Sequence, residues 1–317
     1  MHSTSVITQS VLGEFTRLTM ENDQLKIALL PELGSKMVEF RSKKSGKQFL
    51  LEPQALGRTY RRASYGNDFG LYDTSGFDEC FPNIAPAFFP DHGEVWSREW
   101  DWQQDGNDLH FSIDGVKARY VFEKRIRMDA TSVRLLYKVE NRQNTPLNFL
   151  WSAHPLLDVT PGTTILLPNG EHHMLIDWAS DTVIGKHGDI VPWPFLSSNH
   201  HHINYSVVQE KCLGQAVKCY TNVLNEGWAA VYFPDEDESL LFEFDPGENP
   251  YLGIWLCYGG WPAAGVNAHL TVALEPCCGR SDSLEEAMQQ GECAHVDAHG
   301  TKEWSLTMSV LKGKPDR

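Results

Sequence analysis

Apolar and polar residues alternate with a period of two in short segments along most of the chain. The clearest is SVRLLYKVEN, residues 132–141, where apolar side chains at 133, 135, 137 and 139 share one face. This alternation is typical of a half-buried antiparallel strand. Similar segments span 24–30, 108–114, 118–128, 148–154, 163–168, 203–209, 228–233, 239–244, 252–258, 269–276 and 303–311.

One segment has a helical pattern. SDSLEEAMQQGE, residues 281–292, offers Ser281 as an N-cap, acidic residues in its first turns and Gly291 as a stop. Because strands and helices do not alternate, a parallel sheet is disfavoured. The pattern predicts an all-β fold, a large antiparallel β-sandwich with one short helix. No linker, low-complexity tract or internal repeat marks a boundary, so we expect residues 1–317 to form a single domain.

The net charge of the chain limits the classes of molecule that it is expected to bind. The chain has 42 acidic and 27 basic residues among 317, a formal net charge of −15. Nucleic acid and anionic membranes are therefore disfavoured as partners, while a neutral polar ligand such as a free sugar is compatible with the negative electrostatic potential of the chain. The amino terminus lacks the pattern of a signal peptide, and the seven cysteines show no C-x-x-C spacing. We expect a cytoplasmic protein without a zinc site or a disulfide framework.

Histidines and carboxylates at strand ends are the candidate chemical groups, because the common nucleotide, serine-hydrolase and zinc-protease motifs are absent. His154 ends an apolar strand before Pro155, and Glu275 closes the strand HLTVALEP before Pro276. His92 lies in the loop PDHGEVW. Pattern alone also allows a structural His154, a surface-exposed Glu275 and a solvated loop at His92. A buried Glu275 would need a partner, because an unpaired buried charge is costly.

Three more clusters complete the candidates. GFDECFPNIAP, residues 76–86, sets Asp78 among aromatic residues, and CYGGWP, residues 257–262, offers Tyr258 and Trp261 as an aromatic platform at a cleft rim. The histidines at 200–202 could bind a metal, but consecutive histidines in a strand point to alternate faces, so a solvated loop is favoured. The stretch 177–204 is the best candidate for a long functional loop.

Taken in order, these motifs resemble the galactose mutarotase-like superfamily, which includes the aldose 1-epimerases. The matching segments are LKIALLPELGSKMVEF (25–40), GFDECFPNIAP (76–86), the D-H-G-E-V-W loop (91–96), WSAHPLL (151–157) and ALEPCCGRSDSL (274–284). The resemblance covers nearly the whole chain. It implies a β-supersandwich with a sugar cleft.

The resemblance also implies roles for single residues. His154 would protonate the sugar ring oxygen, Glu275 would remove the anomeric hydroxyl proton, and His92 would help to bind the sugar. Asp78, Tyr258 and Trp261 are further candidates for contact with the sugar on the strength of their own motifs. No cofactor or metal is required. For this chemistry His154 should hold a proton near neutral pH and Glu275 should be ionised, each favouring the charge of the other.

Two family features lack a counterpart. The acidic residue expected before the late strands is missing where the chain reads AVKCYTN (216–222), and Arg61 and Arg62 lie in surroundings unlike those of the usual sugar-binding arginine. The sugar is therefore unassigned. Three alternatives remain: a carbohydrate-binding protein without catalysis, a hexose-phosphate epimerase with a basic residue beside the site, and a cupin-like metal enzyme.

Overall fold

The computed structural model describes residues 5–196, 203–262 and 268–317. The first half of the described chain contains eleven strands. They are β1 (Val6–Leu12), β2 (Phe15–Glu21), β3 (Leu25–Leu30), β4 (Lys36–Ser42), β5 (Phe77–Cys80), β6 (Asp101–Asp105), β7 (Asp108–Asp114), β8 (Tyr120–Asp129), β9 (Ser132–Asn141), β10 (Leu147–Phe149) and β11 (Ser152–Pro155).

The second half contains eleven more strands and the α-helix α1 (Leu284–Gln290). The strands are β12 (Leu157–Asp158), β13 (Thr164–Leu166), β14 (His173–Ala179), β15 (Ile190–Pro192), β16 (Gln215–Tyr220), β17 (Trp228–Phe233), β18 (Glu238–Phe244), β19 (Tyr251–Tyr258), β20 (Leu270–Cys277), β21 (Ala294–Val296) and β22 (Thr301–Lys312). Short 3₁₀ turns lie at Pro31–Leu33, Pro53–Leu56, Phe69–Leu71 and Lys211–Leu213.

Two large antiparallel sheets organise these strands. The larger has twelve strands in the order β1-β2-β3-β4-β5-β11-β20-β19-β16-β14-β15, with β12 also paired to β20. The smaller has eight, in the order β13-β17-β18-β22-β9-β8-β7-β6, and β10 and β21 form a separate ribbon. The predicted all-β, antiparallel fold is confirmed.

The core lies between the sheets and follows from the alternation along each strand. In β9 the side chains at 133, 135, 137 and 139 are buried, as the pattern predicts. Tyr137 of β9 contacts Trp151, which precedes β11, with ring centroids 4.8 Å apart, so aromatic side chains join the two sheets. In β20 Val272 and Leu274 belong to this core, whereas Ala273 and Glu275 face the other side of the large sheet.

The helix begins later than the sequence predicts. Its N-cap is Ser283, whose side chain accepts a hydrogen bond from the Glu286 N–H, whereas Ser281 precedes the helix and accepts from the Ser283 N–H. The predicted cap at Ser281 is therefore wrong by two residues. Gly291 ends the helix at φ +71°, a left-handed conformation that suits glycine. Within the described part of the chain, no helix has the length and apolar character that crossing a bilayer demands.

Candidate active site

A cavity of about 280 Å³ opens on the outer face of the large sheet. It is lined by charged groups, histidines and aromatic rings. The lining residues are Asp68, Phe69, Gly70, Thr74, Ile84, Asp91, His92, His154, Leu156, Trp178, Lys218, Trp255, Trp261, His269, Glu275 and Asp282. Four of the six predicted site residues are in this set, namely His92, His154, Trp261 and Glu275.

Strand register brings His154 and Glu275 together. The pair Ser152↔Cys277 between β11 and β20 and the pair Leu157↔Val272 between β12 and β20 follow the same antiparallel register. In that register His154 stands opposite Glu275. Directly opposed residues on one sheet face have Cβ atoms roughly 5 Å apart. The imidazole and the carboxylate therefore belong to neighbouring positions on one face of the sheet, and both line the cavity.

His154 is buried among aromatic rings. Its ring centroid lies 5.3 Å from the rings of Phe69 and His92, both nearly perpendicular to it, and its Nδ1 has no hydrogen-bond partner in the described structure. Burial, followed by electrostatic interactions with His92, Lys218 and Lys36, holds the pKa of His154 well below its usual range. The empty cleft thus favours neutral imidazole, which differs from the sequence expectation of a protonated His154. The reason is that burial removes the solvation that a charged imidazole needs, and the nearby lysines add repulsion.

The loop carrying His92 is fixed by its backbone. His92 has φ +56°, and its N–H donates to the Ile84 carbonyl. Gly93 packs so tightly on Phe81 that a Cβ atom on this glycine would lie 2.0 Å from the Phe81 carbonyl oxygen. The His92 ring stacks on Phe69 at 4.2 Å, and its Nδ1 lies 3.0 Å from Asp91 Oδ1. Burial opposes ionisation of Asp91, but the hydrogen bonds from His92 and the backbone lower its pKa overall. The second histidine is therefore locked beside the first.

Glu275 is fully buried and ion-paired. The Lys218 ammonium of β16 contacts Glu275 Oε2, and Ser152 Oγ donates to the same oxygen at 3.2 Å. Glu275 Oε1 has no partner in the described structure. Burial raises the pKa of Glu275 and Lys218 opposes that rise. Burial also disfavours the charged lysine, yet Glu275 and Asp282 raise the pKa of Lys218 overall, so Lys218 carries its charge.

A second carboxylate group lies on the other side of Lys218. Asp282 Oδ1 is 3.9 Å from the Lys218 ammonium and accepts a hydrogen bond from the Tyr220 hydroxyl. The Asp282 N–H donates to Asp177 Oδ1 at 3.1 Å. Burial and the nearby charge of Asp282 raise the pKa of Asp177 to about 7. Asp282 is thus an acidic group at the cavity, although it lies downstream of the segment 216–222 in which the family resemblance predicts one.

Aromatic residues form the other flank of the cavity. The ring centroids of Trp178 and Trp255 are 5.8 Å apart, and those of Trp255 and Trp261 are 6.1 Å apart. Trp261 also packs edge-on against His269, at 4.9 Å. Burial, followed by the charges of Arg58 and Lys211, lowers the pKa of His269 to about 4, so this imidazole is neutral. Indole surfaces beside polar groups suit a ligand with apolar faces and hydroxyl edges.

The structure does not bring the two remaining predicted residues into the cavity. Asp78 stands opposite His154 in the register of β5 and β11, but it is fully buried and pairs with Lys36 at 2.9 Å, and burial, opposed by Lys36, raises its pKa to about 6. Tyr258 is buried against Tyr205, and its hydroxyl donates to the Tyr205 carbonyl at 3.3 Å. Neither is among the lining residues.

Other candidates lie elsewhere. Arg61 donates to the Leu71 carbonyl, and Arg62 pairs with Glu99 at the surface, so neither lines the cavity. The histidines at 200–202 lie outside the described residues. Within those residues, no group of three or more His, Cys, Asp or Glu side chains could hold a metal ion.

Sequence reasoning missed Lys218, Asp282, His269, Trp178 and Trp255. One available signal was the pattern of QAVKCY, where a lysine stands between residues of buried type. Lysine is almost never fully buried without a partner, and a buried glutamate also needs one. The sequence could therefore have suggested that Lys218 and Glu275 pair with each other. Asp282 was hidden because the segment was assigned to a helix that in fact begins at Leu284.

No protein-family model matches the sequence. Solved structures resemble the chain over nearly its whole length. A galactose mutarotase-like protein from Clostridium acetobutylicum has 12% identity and TM-score 0.69, covering 98% of this chain and 99% of that one. A galactose mutarotase related enzyme from Lactobacillus acidophilus has 11% identity and TM-score 0.67, covering 95% of this chain and 99% of that one. A galactose mutarotase-like protein from Lactobacillus casei has 15% identity and TM-score 0.61, covering 93% of this chain and 100% of that one. The chain therefore has the fold of the galactose mutarotase-like proteins.

Proposed function

We propose that this protein is an aldose 1-epimerase-like isomerase that interconverts the anomers of a free sugar. The placement of His154 directly opposite Glu275 at a cavity carries the proposal. In a cyclic sugar the ring oxygen and the anomeric hydroxyl share one carbon atom. Two groups side by side on neighbouring strands can therefore reach both oxygens at once.

In the proposed reaction, Glu275 takes the proton of the anomeric hydroxyl as the bond between the anomeric carbon and the ring oxygen breaks. His154 donates a hydrogen bond to that ring oxygen, which carries the negative charge as an alkoxide while the sugar is an open-chain aldehyde. Rotation about the adjacent carbon–carbon bond exposes the other face, and the reverse transfers close the ring. Every proton returns to its donor, so no cofactor or net change in protonation is needed.

The electrostatics of the empty cavity support this division of roles. The ion pair with Lys218 favours ionised Glu275, which makes the carboxylate the base. A neutral imidazole can polarise an oxygen as a hydrogen-bond donor, and that bond strengthens as negative charge develops on the ring oxygen. His154, whose pKa is lowered, is suited to that task.

The charges at the cavity favour a neutral sugar. Four carboxylates line it, those of Asp68, Asp91, Glu275 and Asp282, against one lysine, Lys218, which already contacts two of them. A phosphate would meet no free cation among the described lining residues, which argues against a hexose-phosphate substrate. A binding protein without catalysis would need the aromatic flank but not an opposed histidine and carboxylate.

Saturation-transfer NMR tests the proposal directly. A panel of free and phosphorylated aldoses is incubated with catalytic amounts of the protein, and exchange between anomer signals is measured against the uncatalysed rate. We expect faster exchange for at least one free aldose and little for the phosphorylated forms. Binding of a sugar without faster exchange would support the binding-protein alternative instead.

A further inference from the structure

We infer that Lys218 is a positioning residue, which locks Oε2 of Glu275 and leaves Oε1 as the atom that accepts the substrate proton. This inference rests on the proposed function and assigns a role to each carboxylate oxygen. Oε2 contacts Lys218 and Ser152, whereas Oε1 is buried without a partner in the described structure. A buried carboxylate oxygen that lacks a donor is ready to take one from a ligand.

Strand register places Lys218 for this contact. Lys218 pairs with Trp178 of β14 on one side and with Trp255 of β19 on the other. The two indole rings approach to 5.8 Å, and the lysine side chain between them is only 6% exposed. The lysine therefore starts between two large side chains in the sheet, and its ammonium lies over the ring of Tyr220, 5.3 Å from the centroid.

A glycine makes room for the ammonium. Gly253 lies in register with Glu275 on one side and Tyr220 on the other. A Cβ atom at Gly253 would lie 3.3 Å from the Glu275 Cβ and 3.4 Å from the Lys218 Nζ. The absent side chain leaves the gap through which Lys218 reaches the carboxylate in the next row of the sheet.

Few other charges act on Glu275. The groups around it are Lys218, Cys219 and Tyr220 of β16, His154 and Ser152 of β11, Cys80 of β5, Cys277 of β20 and Asp282 after β20. Burial raises the pKa values of the Cys219 and Cys277 thiols, so both are neutral. Burial raises the pKa values of Cys80 and Tyr220 well above their usual ranges, and that of His154 is lowered, so these three are neutral. Asp282 is an acid and opposes ionisation of Glu275. Lys218 is thus the cation that offsets the burial of this carboxylate.

The test compares the wild type with Lys218→Met, and uses Lys312→Met as a matched control because Lys312 pairs with Asp237 at an exposed site. The ionisation of Glu275 is read from the ¹³C signal of its labelled side-chain carboxyl during a pH titration, with Glu275→Gln assigning the signal. We expect Lys218→Met to raise that apparent pKa by at least about one unit. We expect Lys312→Met to leave it unchanged.

Activity gives the second readout. In Lys218→Met the acidic limb of the pH profile of kcat/KM should shift to higher pH. We therefore expect the rate to fall about 10-fold or more at neutral pH and to recover partly at higher pH. Loss of rate by the same factor at every pH, with the Glu275 signal unmoved, would overturn the inference. Should Lys218→Met not fold, Gly253→Ala keeps the lysine and crowds the gap, and the inference predicts a shift in the same direction.

The two proposals can fail separately. Absence of catalysed exchange in the wild type would reject the proposed function, while the titration would still report whether Lys218 controls Glu275. Conversely, the wild type could be active while Glu275 has the same apparent pKa in the wild type and in Lys218→Met. That result would reject only the positioning role of Lys218.

Discussion

His154 and Glu275 lie opposite each other on neighbouring antiparallel strands, on the face of the large sheet that carries the cavity. The relationship depends on backbone register and not on a flexible loop. Rigid elements hold reacting groups in place better than loops do. The same register sets Lys218 between Trp178 and Trp255, so the acid, the base and the lysine all take their positions from the sheet.

Replacement of Trp178 by alanine should weaken sugar binding. Its side chain is exposed at the cavity, and removing the indole surface takes away apolar contact with the ligand. We expect KM to rise about 2- to 10-fold with a smaller change in kcat. Trp102→Ala is the control, because Trp102 is similarly exposed but lies on the edge strand β6. Equal effects of the two substitutions on KM would contradict a role for Trp178 in binding.

Replacement of Lys124 by methionine should destabilise the fold. Lys124 and Glu79 form a buried ion pair at 3.2 Å, and Glu79 also accepts from Tyr137 and Trp151. Removing the lysine leaves a buried carboxylate without its cation, so we expect the free energy of unfolding to fall by about 3–5 kcal/mol. Urea denaturation measures the change. The exposed pair Lys138–Glu123 supplies the control, since Lys138→Met should cost less than about 1 kcal/mol.

Asp177 should make stability depend on pH. Its pKa is raised from 3.8 to about 7, so between these values the folded protein holds a proton that the unfolded chain has released. Stability from this group is therefore present at low pH and is lost as pH rises toward and through 7. Asp177→Asn removes the effect, so the difference in unfolding free energy between wild type and variant should change steadily across this window. Parallel urea-denaturation results at all pH values would contradict the assignment.

Much of the fold was predictable because strand burial follows a local pattern. In β9 every second side chain enters the core, and the sequence displays that alternation directly. The helix start was less accessible. Ser281 fits the pattern of a cap, but Ser283 caps the helix, and Asp282 before it contacts Lys218 and Tyr220 at the cavity.

The candidate site was only partly predictable. His154 and Glu275 end strands, and the ordered motifs singled them out, but the register that joins them is a long-range property. Asp78 stands opposite His154 on the same face of the sheet, yet it is fully buried and paired with Lys36 instead of lining the cavity, a contact that the local pattern does not reveal. Lys218 was missed since its partner is 57 residues away in the sequence. Pairings of this kind arise from the topology of the sheet and leave little trace in local composition.

The central claim is that His154 and Glu275 together catalyse anomer exchange. The most direct test is the saturation-transfer NMR exchange rate of an accepted aldose with His154→Gln and Glu275→Gln, alongside His110→Gln as a control on the strand β7. We predict that each cavity substitution lowers the catalysed rate about 10²–10⁴-fold while the control keeps the wild-type rate. A wild-type rate in a folded His154→Gln or Glu275→Gln variant would show that anomer exchange does not depend on this pair.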